Sequence, residues 1–189
     1  MQNILLIDNN DSFTYNIVDY LRRMDGVKFK VIKSHNIILN EIKDFDKIII
    51  SPGPGLPKDF PKLSKIFSLF LECKSILGIC LGHQALVEFL GGSLMPLHPV
   101  IHGQAHTLKI LKDDIIFDNI PSVSRVGLYH SWAVNEKTFP EELEILAVSE
   151  QGIIMAIKHK EYSVYGVQFH PESHITDHGF TLLNNFIEL

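Results

Sequence analysis

Short runs of consecutive apolar residues alternate with stretches of helical periodicity in the first half of the chain. Residues 4–7, 47–50 and 75–79 form compact, mostly apolar runs, which are typical of strands buried on both faces in a helix-covered parallel sheet. Residues 27–32 alternate in polarity and predict a further strand. Apolar residues at helical spacing predict helices from residue 11 or 12 to Asp25-Gly26, over residues 63–71 and over residues 81–90, with a weaker helical stretch near residues 37–42. This order predicts repeated β-α units.

The second half of the chain has a different character. Strand patterns at residues 107–111, 143–148, 153–157 and 163–167 are separated by turn signals with little helix between them, and residues 180–186 predict a closing helix. Some of these later strands are expected to pair antiparallel. We therefore predict a single α/β domain over residues 1–189, with an open, twisted, mostly parallel sheet, helices on both faces and additional antiparallel strands in the C-terminal half. In such sheets a ligand binds at the carboxyl ends of the strands.

Composition and charge narrow the classes of function. Of the 189 residues, 46% are hydrophobic, and the formal net charge is -5, which argues against binding to nucleic acid or to an acidic membrane surface. The N-terminus lacks the pattern of a signal peptide, and no apolar stretch reaches bilayer length. A cytoplasmic protein with small-molecule or protein partners is expected. The two cysteines, Cys73 and Cys80, are not expected to pair in a reducing compartment, so at least one is free for chemistry.

Cys80 lies in a pattern typical of a catalytic nucleophile. The sequence Gly78-Ile79-Cys80-Leu81-Gly82 falls between a predicted strand and a predicted helix, which is the context of a nucleophile elbow. Such a turn needs glycines where strand and helix approach each other closely. It would also direct the thiol at the first turn of the helix, whose free N–H groups stabilise a thiolate or an oxyanion. The alternative is a small buried cysteine with no chemical role, the interpretation that we keep for Cys73.

His170 and Glu172 follow the last predicted strand and fit the roles of a base and of the group that orients it. In extended chain, residues two apart project to the same side, so the Glu172 carboxylate can approach the His170 ring. Pro171 favours this conformation. One ring nitrogen would serve Cys80 while Glu172 holds the other. A zinc site completed by His174 is the alternative, but zinc peptidase motifs place two histidines on one helix, which Pro171 opposes. We predict no metal site.

Two segments together resemble the triad, or class-I, glutamine amidotransferases. They are Gly78-Ile79-Cys80-Leu81-Gly82-His83-Gln84 and Gln168-Phe169-His170-Pro171-Glu172-Ser173. Within that family, the chain resembles the small (component II) subunits of anthranilate synthase and aminodeoxychorismate synthase at residues 7–16, 51–55, 102–103, 129–131 and 178–179. The resemblance extends over nearly the whole chain. Gln104, Leu128 and Trp132 depart from the family pattern, which affects the expected partner interface and fine specificity rather than the chemistry.

The resemblance implies a mechanism and a set of site residues. Cys80, His170 and Glu172 would form the catalytic triad, and the backbone N–H groups of Gly55 and Leu81 would form the oxyanion hole. The substrate would be L-glutamine, and its binding residues would be Gly53, Pro54, Gly55, Gln84, Ser131 and Trp132. Taken without the resemblance, Gln84 is interpreted as a surface helix residue and Ser131 as a loop hydroxyl. No cofactor is expected in this chain, and Mg²⁺ is expected only in a partner subunit.

The resemblance also implies a partner protein. A glutaminase alone would waste ammonia, so a separate chorismate-binding synthase large subunit is expected to receive it through an internal path. The main hypothesis is the glutamine amidotransferase subunit of anthranilate synthase, in tryptophan biosynthesis. The equivalent subunit of aminodeoxychorismate synthase, in folate biosynthesis, or a subunit shared by both, is the nearest alternative. A stand-alone cysteine γ-glutamyl hydrolase and a silent binding module are less favoured.

Three loop regions are candidates for the surface that docks the large subunit. They are residues 8–16, residues 57–61 and the region around His102. Loops carry binding functions on many folds, but solvated loops with no partner are the alternative in each case.

Overall fold

The computed structural model describes residues 1–98 and 102–189. Within those ranges the chain forms eleven strands and four α-helices. The strands are β1 (Gln2–Asp8), β2 (Val27–Lys33), β3 (Lys47–Ile50), β4 (Ser75–Ile79), β5 (Leu94–Pro96), β6 (Gln104–Ile110), β7 (Val123–Leu128), β8 (Trp132–Val134), β9 (Leu143–Ser149), β10 (Ile154–His159) and β11 (Val164–Val167). The helices are α1 (Thr14–Arg22), α2 (Pro61–Phe70), α3 (Leu81–Phe89) and α4 (Gly179–Glu188).

Nine of these strands form one mixed sheet in the order β2-β1-β3-β4-β11-β10-β9-β6-β7. The strands from β2 to β11 in this order pair parallel, and those from β11 to β7 pair antiparallel. β5 and β8 form a separate antiparallel pair. The predicted α/β fold, a largely parallel sheet with antiparallel strands added in the C-terminal half, is confirmed.

The central strands are buried on both faces, which explains their continuous apolar sequences. Along β1, Ile4 and Leu6 pack in one core cluster together with residues of α1 and α4. Leu5 and Ile7 pack in a second cluster together with residues of α2 and α3. Because successive side chains of a strand alternate between its faces, each pair of helices covers one face of the sheet.

The four helices are short, at nine or ten residues each. Over the part of the chain that the structure describes, no helix combines the length and apolar character needed to cross a bilayer.

Some element boundaries differ from those predicted from the sequence. α1 begins at Thr14 rather than at residue 11 or 12, because the Asp11 carboxylate accepts a hydrogen bond from the Phe13 N–H over 2.8 Å and forms a turn ahead of the helix. The weakly helical stretch near residues 37–42 lies partly in a 3-10 helix, Leu39–Asp44. The prediction missed β5, β7 and β8. At the start of β7 the polarity pattern is inverted, because Ser124 is buried whereas Val123 is exposed.

Candidate active site

The carboxyl ends of β4 and β11 bring the two predicted catalytic segments together. The strands are parallel neighbours with Ile79 opposite Val167, and the Cys80 N–H donates to the Val167 carbonyl oxygen over 2.7 Å. Cys80 directly follows β4, and His170 follows shortly after the end of β11. Side chains that are distant in sequence therefore meet at the edge of the sheet where parallel α/β folds bind ligands.

Cys80 occupies a strained turn between β4 and α3. Its backbone angles are φ 50° and ψ -95°, a combination that residues with a side chain rarely adopt. A Cβ atom at Gly78 would lie 2.4 Å from the carbonyl carbon of Gly82, and one at Gly82 would lie 2.9 Å from the carbonyl oxygen of Ile50. The contact between α3 and the sheet thus requires both glycines. Cys73 is exposed and lies outside this arrangement.

His170 and Glu172 form a buried pair. The His170 Nδ1 atom lies 2.7 Å from Glu172 Oε1, and each residue is 2% exposed. Burial of the imidazole lowers the His170 pKa, but hydrogen bonding and charge interactions with Cys80 and Glu172 outweigh it, so the pKa of His170 is raised well above its usual value. The other nitrogen, Nε2, is buried and forms no hydrogen bond of standard geometry within the described residues. Glu172 therefore holds one side of the imidazole and leaves the other to Cys80.

Two aromatic side chains enclose the imidazole. The Tyr129 ring lies 4.9 Å from the His170 ring, between centroids, at 61°, and the Phe13 ring lies 5.7 Å from it at 70°. Such edge-on arrangements of rings are favourable. The Tyr129 hydroxyl is 3.0 Å from Ser173 Oγ. The contacts restrict rotation of the His170 ring. Phe13 and Tyr129 were not assigned to the site from the sequence, because no local pattern reveals contacts between segments so far apart.

A cavity of about 270 Å³ opens beside Cys80. Its lining includes all the residues predicted to bind glutamine, which are Gly53, Pro54, Gly55, Gln84, Ser131 and Trp132, and in addition Tyr129 and His130. The volume is near the lower end of small-ligand sites, which begin at about 300 Å³. The structure brings these residues together, and their role in binding glutamine stays a prediction.

The two predicted oxyanion donors lie on different elements. Leu81 is the first residue of α3, where backbone N–H groups have no partner within the helix. Gly55 lies in the loop after β3 with φ 76°, and a Cβ atom there would lie 2.6 Å from Asp59 Oδ2. Asp59 is fixed in turn, because Oδ2 accepts a hydrogen bond from the Leu56 N–H over 2.9 Å. A glycine is therefore required at position 55 for this loop conformation.

Two glutamine side chains link α3, the helix that follows the turn at Cys80, to the segment that carries His170. Gln84 is 3% exposed rather than on the surface, and its Nε2 donates to the Trp132 carbonyl oxygen over 2.9 Å and to Gln168 Oε1 over 3.1 Å. Gln168 Nε2 donates to Cys80 Sγ over 3.5 Å. Because both amide hydrogens of Gln84 are engaged, only its oxygen remains to accept a hydrogen bond from a ligand. Gln168 was not assigned to the site from the sequence, although it lies in the motif before His170.

His130 lines the same cavity and carries no charge near neutral pH. Its Nδ1 lies 2.8 Å from the Trp132 carbonyl oxygen. Burial lowers the pKa of His130 to about 4, the hydrogen bond to Trp132 partly opposes this, and the nearby His170 and His106 lower it further. His130 therefore adds no positive charge beside the imidazole of His170 near neutral pH.

Asp11 lies close to the buried pair. One potential ligand atom from each of Asp11, His170 and Glu172 falls within 4.8 Å of the others, the arrangement of a possible metal site among the described residues. The zinc alternative considered from the sequence needed His174 instead. The pairing of His170 Nδ1 with Glu172 Oε1 already uses a ligand atom from each of those residues, so the geometry is also that of a hydrogen-bonded histidine–glutamate pair with a second carboxylate nearby.

The chain is similar to known proteins over almost its whole length. The chain matches the family model of class-I glutamine amidotransferases over residues 5–189. It is 42% identical over 186 residues to anthranilate synthase component 2 of Lactococcus lactis, covering 97% of this chain and 93% of that protein. The same protein of Cyanophora paradoxa is 42% identical over 187 residues, covering 97% of each chain. The crystal structure of a candidate GMP synthase subunit from Thermoplasma acidophilum matches with a TM-score of 0.89 at 26% identity, covering 100% of this chain and 93% of that one. The chain therefore belongs to the class-I glutamine amidotransferase family.

Proposed function

We propose that this chain is the glutamine amidotransferase subunit of anthranilate synthase, and that it supplies ammonia from L-glutamine to a chorismate-binding large subunit. One observation carries the chemistry: a strained Cys80 and a His170–Glu172 pair lie side by side at the ends of two adjacent parallel strands. The acceptor is inferred from the two relatives named anthranilate synthase component 2, each 42% identical over nearly the full length.

In the proposed mechanism, the glutamine side chain lies in the cavity with its amide carbon against Cys80. The Cys80 thiolate attacks that carbon, and the resulting oxyanion is stabilised by the backbone N–H groups of Leu81 and Gly55. The C–N bond then breaks, and His170 gives its proton to the departing ammonia, leaving a thioester on Cys80. His170 next removes a proton from water, which attacks the thioester and releases glutamate. Glu172 holds the imidazole in position and stabilises its charged form in both steps.

The cavity lining gives glutamine its contacts. We assign the substrate amide and the substrate α-amino and α-carboxylate groups to the surroundings formed by Gly53, Pro54, Gly55, Gln84, Ser131 and Trp132. Support comes from their common location around one cavity of about 270 Å³. No cofactor is assigned to this chain, and Mg²⁺ is assigned only to the large subunit.

The large subunit is proposed to dock on the loops around the site. Candidates are residues 8–16, residues 57–61 and the region around His102; residues 99–101 of that region lie outside the described residues. Tyr15, in the first of these segments, is 68% exposed, and a large exposed aromatic side chain is typical of an interface anchor. A cytoplasmic location, expected from the sequence, belongs to the same proposal.

The first experiment tests the nucleophile. The Cys80→Ala variant should lose glutamine hydrolysis by at least about 10³-fold while keeping the circular dichroism spectrum of the native protein. Glutamate release should be measured with and without co-expressed large subunit. Cys73→Ala is the matched control, because Cys73 is exposed and outside the site, and it should keep full activity. Undiminished glutaminase activity in the Cys80→Ala variant would exclude the mechanism.

The second experiment tests the acceptor. The protein should be purified from its own cells with any associated chorismate-binding subunit, and the product made from chorismate and glutamine should be identified by mass spectrometry. Anthranilate supports the proposal, and aminodeoxychorismate identifies the alternative partner. Fast glutamine turnover by a chain that associates with no such subunit would instead indicate a stand-alone γ-glutamyl hydrolase.

A further inference from the structure

We infer that Thr176 and Gly179 are positioning residues, which fix the backbone that carries His170 and Glu172. The inference rests on the proposed function, because it concerns the precision of the same catalytic pair. Both residues lie in the segment between Glu172 and α4, and neither lines the cavity beside Cys80. They would therefore act through the backbone rather than on the substrate.

The Thr176 hydroxyl connects His170 to β7. It donates to the His170 carbonyl oxygen over 2.6 Å and accepts from the Gly127 N–H over 2.9 Å. The His170 N–H donates in turn to the Gly127 carbonyl oxygen over 3.1 Å. Thr176 is only 8% exposed, so these bonds compete little with water. Three hydrogen bonds thus form a closed ring that fixes both backbone polar groups of His170 against a strand of the sheet.

Gly179 fixes the next residue, Pro171. A Cβ atom at Gly179 would lie 1.7 Å from the Pro171 carbonyl oxygen and 2.7 Å from its carbonyl carbon. These are backbone atoms, so no rotation of a side chain could relieve the overlap. Gly179 is the first residue of α4, and that helix is anchored in the core by Leu183 and Phe186, each 0% exposed. A side chain at position 179 would therefore force Pro171 and the first turn of α4 apart.

The displacement would fall between the two members of the catalytic pair. Pro171 joins His170 to Glu172, whose side chains are 2.7 Å apart. A base must come within about 2.6–3.2 Å of the proton that it transfers, and a misplacement of about 1 Å can lower a rate by about 100-fold. Thr176 and Gly179 thus act on the same short stretch of backbone, one through a hydrogen bond and the other through the absence of a side chain.

The test compares two changes at Thr176. Thr176→Val removes the hydroxyl and keeps the shape, whereas Thr176→Ser keeps the hydroxyl. With the large subunit bound, we expect the valine variant to lose about 10- to 100-fold in kcat for glutamine hydrolysis with KM changed less than about threefold. The serine variant should stay within about threefold of the native kcat. Thr138→Val is the control for the same chemical change at an exposed hydroxyl, which bonds to Ser93, and it should leave kcat unchanged.

A second readout follows the catalytic pair directly. The rate at which iodoacetamide alkylates the active-site thiol should be measured from pH 5 to 9 in the native protein and in the valine and serine variants. If the imidazole is misplaced, the valine variant should show a shifted midpoint of this pH profile, whereas the serine variant should keep the native midpoint. A purely structural role of Thr176 would lower stability without moving the midpoint.

Gly179→Ala provides an independent variant, with Gly152→Ala as its control, because a Cβ atom at Gly152 meets nothing within 4 Å. The alanine at 179 should reproduce the loss in kcat and the shifted profile. Equal kcat and equal pH profiles in the Thr176→Val and Thr176→Ser variants would overturn the inference, even if Gly179→Ala fails to fold. Failure of the proposed function would appear differently, as a native protein that does not hydrolyse glutamine.

Discussion

Replacing His83 by leucine should make the stability of the protein less sensitive to acid, because His83 causes a large part of the stability loss that the native protein suffers as the pH falls. His83 lies on α3 and is 0% exposed, and neither of its ring nitrogens has a hydrogen-bond partner of standard geometry in the described part of the chain. Burial lowers the pKa of His83 to about 3; the neighbouring Gly166 backbone opposes the shift, and His130 adds slightly to it. The folded protein therefore resists protonation that the unfolded chain accepts.

The sign and size of the effect follow from this pKa. A histidine in the unfolded chain takes up a proton near its usual pKa of 6.5, whereas folded His83 does so only near 3. Stability is therefore lost as the pH falls below 6.5 and continues to fall until about pH 3. At about 1.4 kcal/mol per pH unit, His83 alone costs about 2 kcal/mol at pH 5. His170, whose pKa is raised, behaves oppositely: its stabilising contribution is fully present below 6.5 and is lost only at higher pH.

The assay is urea unfolding followed by circular dichroism at pH 7.5 and pH 5.0. The native protein should lose about 2 kcal/mol more between these two pH values than the His83→Leu variant. Comparing differences removes the effect of the altered shape, which could cost about 1–3 kcal/mol at both pH values. His35→Leu, a change at an exposed histidine, should keep the native pH dependence. An equal loss in the native and His83→Leu proteins would refute the argument.

Two further outcomes are expected from the site. Glu172→Gln removes the charge that stabilises the protonated form of His170. Steady-state assays of glutamate release should therefore show kcat for glutamine hydrolysis lowered by about 10²- to 10⁴-fold with little change in KM. A kcat within about threefold of the native value would contradict the proposed role of Glu172. Gly82→Ala places a Cβ atom 2.9 Å from the Ile50 carbonyl oxygen. Urea unfolding should therefore show a loss of about 1–3 kcal/mol in the free energy of unfolding, and kcat should fall because the N-terminus of α3 is displaced. If the free energy of unfolding and kcat are both unchanged, helix and sheet can separate at this point without cost.

The parallel half of the fold could be predicted from the sequence because each of its central strands has a recognisable local sequence pattern. Residues 47–50 and 75–79 are short, mostly apolar runs, and they coincide with β3 and β4. β7 escaped prediction because its buried positions include Ser124 and its exposed positions include Val123. That pattern follows from the packing of the antiparallel half of the sheet, and no rule based on a single strand recovers it.

The candidate site likewise contains some residues that the sequence predicted and others that only the structure revealed. Cys80, His170 and Glu172 stand in short local motifs, so the sequence singled them out. The extended conformation predicted for His170 to Glu172 is wrong, because Pro171 and Glu172 lie in a turn in which the Ser173 N–H donates to the His170 carbonyl oxygen over 3.2 Å. Tyr129 and Gln168 contact the pair or the thiol across the fold, and their roles depend on strand order rather than on neighbouring residues. Gln84 was placed near glutamine only through the family resemblance, since its burial is a property of the assembled sheet.

The position of β11 in the sheet has a consequence for how activity appears during synthesis. β11 is the last strand along the sequence, yet it lies between β4 and β10 in the interior of the sheet. Until β11 emerges from the ribosome, β4 has no partner on that side, and the thiol has no imidazole beside it. Such late insertion of a central strand is a long-range step, which folds slowly, and it leaves an open sheet edge exposed to chaperones or to aggregation in the meantime. Under the proposed mechanism, the nascent chain thus carries an inactive cysteine, and ammonia release begins only after β11 has taken its place in the sheet.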